Sequence, residues 1–515
     1  MITGSCQDGL KALCPNCVQL RANFWLNRPG LRIIQGESPL QNASLNPAPL
    51  VVDVDGTLLA TDTLFESFWV GIGNSPRASL AAVLKGFSSR AALKTGLAAV
   101  AMPQIALLPL RAEVVALIKT AQAAGRDVIL ASGADQSIVD SLANRLGLSG
   151  KHLGTANGVN LTGANKAAAL VARYGREGFD YVGDSLADIP VWAAARKGYV
   201  VSPNARLRAK LSAKALAPTE IQIAASPWAL VRAMRPHQWV KNVLMLLPVL
   251  AAHRFDLATL GAVLLGILAF SAAASSIYIV NDLLDLSADR QHPEKRFRPF
   301  AAGTASLTSG MGLSLGLGAM ALGIAGLLGW PLVGVIAVYM TLSLAYSLQL
   351  KRLRWVDIFM LATLYTLRVV AGSLAGGLEL SGWLSNFVFP VFLALGCVKR
   401  LTELATATPG KQLAGRGYAP EDRGDLRNIA LAALAAATTI FVMYSFSDIA
   451  SLLYPHPWVL LIAALIIPIW LGRMIARGWQ GQMNHDPIVF ALRDPRGLAL
   501  MAIAMMLVLF AAGLV

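Results

Sequence analysis

From Pro299 to Leu350 the chain runs for 52 positions without a charged residue. A membrane-crossing helix needs about 20 apolar residues, so this run, broken near its middle by Trp330-Pro331, predicts two spans joined by a tight turn. A second uncharged run fills the 24 positions from Leu257 to Val280. Further apolar stretches at about 239–252, 356–377, 384–398, 428–446, 457–472 and 497–515 bring the expected number of spans to nine. Helices are expected because lipid offers the backbone no hydrogen-bond partners. With 55% hydrophobic and 14% charged residues, a 515-residue chain is too apolar to be wholly soluble.

The net charge of +15 finds its explanation in topology. With nine spans, 17 Lys and Arg fall in the loops after spans two, four, six and eight, against Arg254 alone in the loops between. This bias places those loops and the N-terminal region in the cytoplasm of a multi-pass plasma (inner) membrane protein. Nucleic acid is not needed to account for the charge. Cys6, Cys14, Cys17 and Cys397 form no disulfide framework, and Cys14-Pro-Asn-Cys17 has no second pair to make a zinc site. Residues 1–47 show no secretory signal and read as a poorly ordered extension.

The most expensive feature lies directly after the span ending at Val280. Asn281-Asp282-x-x-Asp285-x-x-x-Asp289 puts three carboxylates on one face if the helix continues. Their repulsion is relieved by a hard divalent cation such as magnesium, which keeps sites for substrate phosphate. Arg290, Lys295, Arg296 and Arg298 follow at once and suit phosphate oxygens. Acid and then base at a membrane surface reads as a diphosphate site. Later polar residues join it: Tyr346 and Lys351, then Asp357 and Arg368 eleven apart on one helix, then Lys399 and Arg400. Ionisable residues inside apolar runs are candidates for function.

Ahead of the spans the texture is that of an α/β domain. Leu50-Val-Val-Asp53-Val-Asp55-Gly-Thr57 is a short buried strand delivering two carboxylates to a glycine turn. Val128-Ile-Leu-Ala ends on Ser132, and Phe179-Asp-Tyr-Val-Gly ends on Asp184 and Asp188. Strands alternating with helices and carrying polar residues at their carboxyl ends predict a doubly wound parallel sheet with its site at those ends.

These residues resemble the haloacid dehalogenase superfamily of phosphohydrolases, over about residues 48–205. Asp53-Val-Asp55-Gly-Thr57, Ser132, Lys166 and Gly183-Asp184-Ser-Leu-Ala-Asp188 follow its four motifs in order. The resemblance implies Asp53 as nucleophile, Asp55 as general acid and base, and Ser132 and Lys166 on the phosphoryl oxygens. Magnesium would be held by Asp53, Asp55, Asp184 and Asp188. A phosphatase domain at 48–220, with a small helical cap at about 60–124, is then expected.

A membrane domain at 221–515 is expected, and about residues 228–515 resemble the UbiA superfamily of intramembrane prenyltransferases, nine helices around a cavity. The 281–289 motif matches its first aspartate-rich motif, and Tyr346 to Asp357 the region of its second, although position 361 is leucine where an aspartate is usual. Arg235-Pro-His-Gln-Trp239-Val-Lys241-Asn242, His292-Pro293-x-Lys295-Arg296-x-Arg298-Pro299 and Tyr346 to Lys351 look like the branch that moves phosphoribose to a polyprenyl phosphate. The resemblance implies magnesium and diphosphate on Asp282, Asp285 and Asp289, helped by Asn281. Phosphates would meet Lys241, Asn242, Arg290, Lys295, Arg296 and Arg298. Tyr346, Lys351, Asp357, Arg368, Lys399 and Arg400 would complete the wall. The expected partners are phosphoribosyl diphosphate, polyprenyl phosphate and membrane lipid, with no nucleic acid; a homo-oligomer stays open. The alternatives are an aromatic prenyltransferase fed by a polyprenyl diphosphate, and a phosphatase on an inactive anchor.

Overall fold

The computed structural model describes residues 47–224, 226–406, 416–483, 487–491 and 493–514. The expected extension at 1–47, with Cys14 and Cys17, falls almost wholly outside them.

Six parallel strands, β1 Leu50–Val52, β2 Val128–Asp135, β3 Leu153–Thr155, β4 Asp180–Gly183, β5 Lys197–Val201 and β6 Thr219–Ile221, lie in the order β3-β2-β1-β4-β5-β6. β1 is central and alternates its side chains, Leu50 and Val52 entering the core on one face and Val51 on the other. The chain order reverses between β2-β1 and β4, which opens a crevice at the carboxyl ends of these strands.

After β1 come the helices α1 Thr63–Asn74, α2 Pro76–Gly86, α3 Arg90–Val100 and α4 Ala112–Ala123. α4 belongs to the sheet layers, since Val114, Ile118 and Ala121 share a core with β1 and β2. The helices outside those layers therefore end at Val100, short of the 124 expected for a cap. α5 Gln136–Arg145, α6 Ala164–Tyr174 and α7 Ala205–Ser212 complete this part.

The rest is helical. α8 Leu257–Leu284 leads into α9 Leu286–Gln291, and α10 Leu307–Leu328 and α11 Trp330–Leu348 fill the long uncharged run. α12 Val356–Ala375, α13 Gly382–Thr406, α14 Arg423–Ser445, α15 Trp458–Trp479 and α16 Pro495–Ala511 follow. Among the described residues six helices are long and apolar enough to cross a membrane: α8, α10, α11, α12, α14 with its preceding turn, and α15. The nine expected spans are thus met for six. The stretch at 239–252 is not one regular helix but a 3-10 segment, Pro236–Leu246, turning into the short Leu247–Ala251. Pro236 and Pro248 carry no N–H for an α-helical ladder. α13 holds Lys399, Arg400 and Glu403 in its last turns, and α16 has 17 residues.

The α/β part is seated on the helical part. Phe65 and Trp69 of α1 pack against the helical core built from α8, α10 and α11. Arg290 donates from Nη2 and Nη1 to the two Glu66 carboxylate oxygens at 2.6 and 3.0 Å, and both side chains are buried. Gly303 has φ +70, and a Cβ there would stand 2.6 Å from Ala60 Cβ, so glycine permits the approach.

Candidate active sites

β1 ends on Asp53, and the following turn folds back over it. Gly56 has φ +75, and a Cβ at this position would meet Asp184 Oδ2 at 2.3 Å, so both the turn and the crowding demand glycine. Thr57 donates from Oγ1 to Asp184 Oδ1 at 3.0 Å. Lys166, from α6, lies 3.0 Å from Asp53 and 3.1 Å from Asp188. Asp188 is further held by Tyr181 at 2.5 Å and by the Ser185 hydroxyl at 2.8 Å. Ser132, buried in β2, accepts from the Ala134 N–H at 3.2 Å. Asp53, Asp184 and Asp188 each offer a carboxylate oxygen within 4.8 Å of the others, the one such cluster among the described residues. This donor set fits a hard divalent cation. Asp55 is not in the cluster; its oxygens accept from the Thr63 N–H and hydroxyl at 2.8 and 3.2 Å.

Electrostatics separates the four acids. Burial, with the neighbouring Asp62 carboxylate, pushes Asp55 up to about 8. Burial, Asp53 and Asp188 push Asp184 up to about 7. Asp53 is raised by burial against the pull of Lys166, whereas at Asp188 burial is outweighed by Lys166, Tyr181 and Ser185 and the carboxyl is lowered. Burial thus favours the protonated form of Asp55, while its partners favour the ionised form of Asp188. Two further cations in this cavity escaped sequence reasoning. Lys94 of α3 donates to Gly133 O at 2.7 Å, and Arg111 donates to Gly56 O at 3.0 Å. Neither sits in a motif, so no sequence signal marks them.

The membrane-edge aspartates lie where α8 gives way to α9. Helical hydrogen bonds continue across the junction, Asp285 N–H to Asn281 O at 3.0 Å and Asp289 N–H to Asp285 O at 2.8 Å, so the three acids keep helical spacing. Each meets a cation. Arg298 bridges Asp282 at 3.2 Å and Asp289 at 2.7 Å, Arg235 pairs with Asp282, and Lys351 lies 3.3 Å from Asp285. Among the described residues nothing hydrogen-bonds the buried Asn281 Oδ1, an acceptor beside the aspartates. Lys295 and Arg296 are exposed, and Arg290 is directed to Glu66. Arg235 has a left-handed backbone and a guanidinium over the Tyr278 ring; its motif was visible in the sequence, its pairing with Asp282 was not.

The other candidates form two nodes. Asp357 is fully buried and accepts from Tyr346 at 2.9 Å, Arg400 Nε at 2.6 Å and Arg416 at 3.0 Å, with Lys399 half-buried beside Arg400. Arg368, three turns along α12, belongs to a separate node. It donates to Asn242 Oδ1 at 3.1 Å and Tyr339 at 3.2 Å, with the rings of Phe270, Tyr339 and Tyr365 each 5.1 Å away. Lys241 stands over Tyr365 at 5.7 Å.

A parallel sheet with clustered carboxylates at its strand ends, joined to a bundle whose aspartates and cations gather at one helix end, defines a two-part, multi-pass membrane enzyme. The model of the UbiA prenyltransferase family matches residues 243–494, and that of haloacid dehalogenase-like hydrolases matches 75–192, downstream of Asp53. A protein of Sinorhizobium fredii, y4nM, is 36% identical over 457 residues, 87% of each chain. Nodulation protein NoeC of Azorhizobium caulinodans is 32% identical over 270 residues, 52% of this chain and 87% of that one. Decaprenyl-phosphate phosphoribosyltransferase of Mycobacterium tuberculosis is 33% identical over 285 residues, 53% of this chain and 90% of that one. The chain belongs to the UbiA prenyltransferase family and carries a haloacid dehalogenase-like hydrolase domain ahead of the membrane part.

Proposed function

We propose that the membrane part transfers 5-phosphoribose from phosphoribosyl diphosphate to a polyprenyl phosphate at the cytoplasmic face of the plasma membrane, and that the hydrolase part removes the 5-phosphate. The observation that carries the reading is the alternation of Asp282, Asp285 and Asp289 with Arg235, Arg298 and Lys351, next to the buried Asn281 oxygen. Carboxylates there would hold magnesium, which supplies neutralisation of the departing diphosphate, and the cations bind the remaining phosphate oxygens. The acceptor phosphate oxygen attacks the anomeric carbon as the C–O bond to diphosphate breaks. A cavity of 610 Å³ lined by Leu244, Leu247, Phe392, Leu395, Trp470 and Met505 suits the polyprenyl tail.

In the hydrolase, Asp53 attacks phosphorus and Asp55, in its protonated form, gives its proton to the departing ribose oxygen. Asp55 then takes a proton from the water that opens the aspartyl phosphate. Lys166, Lys94 and Arg111 offset the charge that gathers around the phosphoryl group.

Incubation of the full chain in detergent with magnesium, polyprenyl phosphate and labelled phosphoribosyl diphosphate, read by lipid mass spectrometry, tests both steps. Polyprenyl-phosphoryl-ribose is expected from the intact chain and its 5-phosphate from Asp53→Asn. No ribosylated lipid from folded protein, with turnover of a prenyl diphosphate and an aromatic acceptor instead, would overturn the phosphoribosyl reading.

A further inference from the structure

The cavity holding Asp53, Asp55, Lys166 and Asp184 is not closed by the α/β domain alone. Its 410 Å³ are also lined by Ser306, Leu307 and Thr308. These residues are the N-cap and first turn of α10, a 22-residue apolar helix long enough to cross a membrane. The first turn of a span lies where hydrocarbon gives way to head groups. A cavity walled by that turn therefore opens at the level of lipid head groups.

The seam beside this wall is built rather than incidental. The segment leading to Ser306 carries Gly303, packed so closely on Ala60 that a Cβ would stand 2.6 Å from the Ala60 Cβ. Ala60 itself lines the cavity. The buried Glu66–Arg290 pair and the packing of Phe65 and Trp69 on the helical core fix α1 to the same surface. Lys94 and Arg111 line the same cavity, so cations, carboxylates and the hydroxyls that begin the membrane helix share one space. Ser306 Oγ caps α10 through the Ser309 N–H at 3.1 Å and lies 3.2 Å from the Thr308 hydroxyl, giving this wall a polar edge suited to a sugar ring.

We infer that the phosphatase site is composite, completed by the first turn of α10, and that it takes a phosphomonoester anchored in the membrane in preference to a soluble one. The inference deepens the proposed 5-phosphatase reading and rests on it for the sugar, though not for the shared cavity.

The test uses the full chain in lipid nanodiscs. Thr308→Cys is labelled with an anionic methanethiosulfonate with and without magnesium and orthovanadate, and labelling at residue 308 is read by peptide mass spectrometry. Vanadate in the cavity is expected to slow labelling about tenfold by excluding a second anion, but not at Thr120→Cys, an exposed position of α4. Ser306→Asp and Ser306→Asn cap a helix equally well, so their difference isolates charge. KM for p-nitrophenyl phosphate should be about tenfold higher in the aspartate variant. Lipid-linked 5-phosphoribose should exceed free ribose 5-phosphate in kcat/KM by about a hundredfold, because the membrane supplies much of the positioning. Equal labelling rates with and without vanadate, together with equal KM values in the two Ser306 variants, would overturn the composite site. Equal kcat/KM for free and lipid-linked substrates would overturn the preference for an anchored one. Protection of residue 308 by vanadate, with the lipid product retaining its 5-phosphate, would uphold the shared cavity while sinking the proposed reaction.

Discussion

Glu66 and Arg290 form the ion pair that joins the two parts of the chain, and replacing Glu66 by Gln should loosen the seam by an amount the geometry bounds. Glu66 is 0% exposed and the Arg290 side chain 6%, so neither charge has water to fall back on. The carboxylate receives two guanidinium bonds, at 2.6 and 3.0 Å, and a third from Thr61 at 2.6 Å. Among the described residues Arg290 has one other hydrogen-bond partner, Ala301 O at 3.1 Å. Glutamine fills the same space and can keep the Thr61 bond, but it leaves a guanidinium buried beside a neutral amide. Breaking one side of such a pair costs about 3–5 kcal/mol, which corresponds to more than a hundredfold in an opening equilibrium at about 1.4 kcal/mol per tenfold. The assay is amide hydrogen exchange of the full chain in nanodiscs, followed over 63–74 and 286–291. Protection there should fall by about two orders of magnitude in Glu66→Gln, with little change in β2 or α15. The double variant Glu66→Gln with Arg290→Met removes the stranded charge and should regain about half of the loss. Protection within about threefold of the parent in Glu66→Gln would refute the argument that a buried ion pair holds the seam.

Other outcomes follow from the same geometry. Asp184, pushed up to about 7, must lose its proton to bind a metal, so Mg2+ or Mn2+ affinity of the hydrolase site should fall about tenfold per pH unit below 7 and level off above it; calorimetric titration between about pH 5.5 and 8 with Asp282→Asn as background checks this, and a flat profile would sink it. Gly303→Ala forces a side chain onto a φ of +70 and against Ala60, and should cost about 2 kcal/mol in thermal stability, whereas Gly316→Ala, with open space around it, should be neutral or stabilising. Asp282→Asn should lower the transferase rate by at least about a hundredfold while hydrolysis of p-nitrophenyl phosphate stays as in the parent; parallel loss of both activities would show that the variant damages the fold instead.

Much of this was legible in the sequence because the relevant signals are local. The strand before Asp53, the one carrying Ser132 and the one before Asp184 are short apolar runs that meet polar residues, and all three begin close to where they were expected, although β2 runs on past Ser132 to Asp135. The long uncharged run and the break at Trp330 gave α10 and α11 directly. The stretch at 239–252 is apolar enough for a span, but Pro248 stands in the first turn of a separate short helix that follows the 3-10 segment. Arg290 looked like a phosphate ligand since it follows Asp289 among other basic residues. Its true partner, Glu66, is 224 positions away in another layer, and no local pattern encodes such a meeting. Lys94 and Arg111 were missed for the same reason: each reaches its cavity from an ordinary helix or turn.

The pairing of Asp282 and Asp289 with Arg298 has a consequence for how the transferase site fills. Because one guanidinium nitrogen holds both Asp282 Oδ1 and Asp289 Oδ2, a metal cation that drew on those two oxygens would have to displace Arg298. Arg298 in turn leaves two carboxylates without loss only when another anion receives it. A cation alone would strand the arginine, and an anion alone would strand Asp289, while Asp282 kept Arg235. The favourable event is a partner exchange in which carboxylates pass to the metal and guanidinium to phosphate together, so occupancy by one should raise affinity for the other in both directions. A site wired in this way would favour magnesium and phosphate arriving as one complex over either arriving alone.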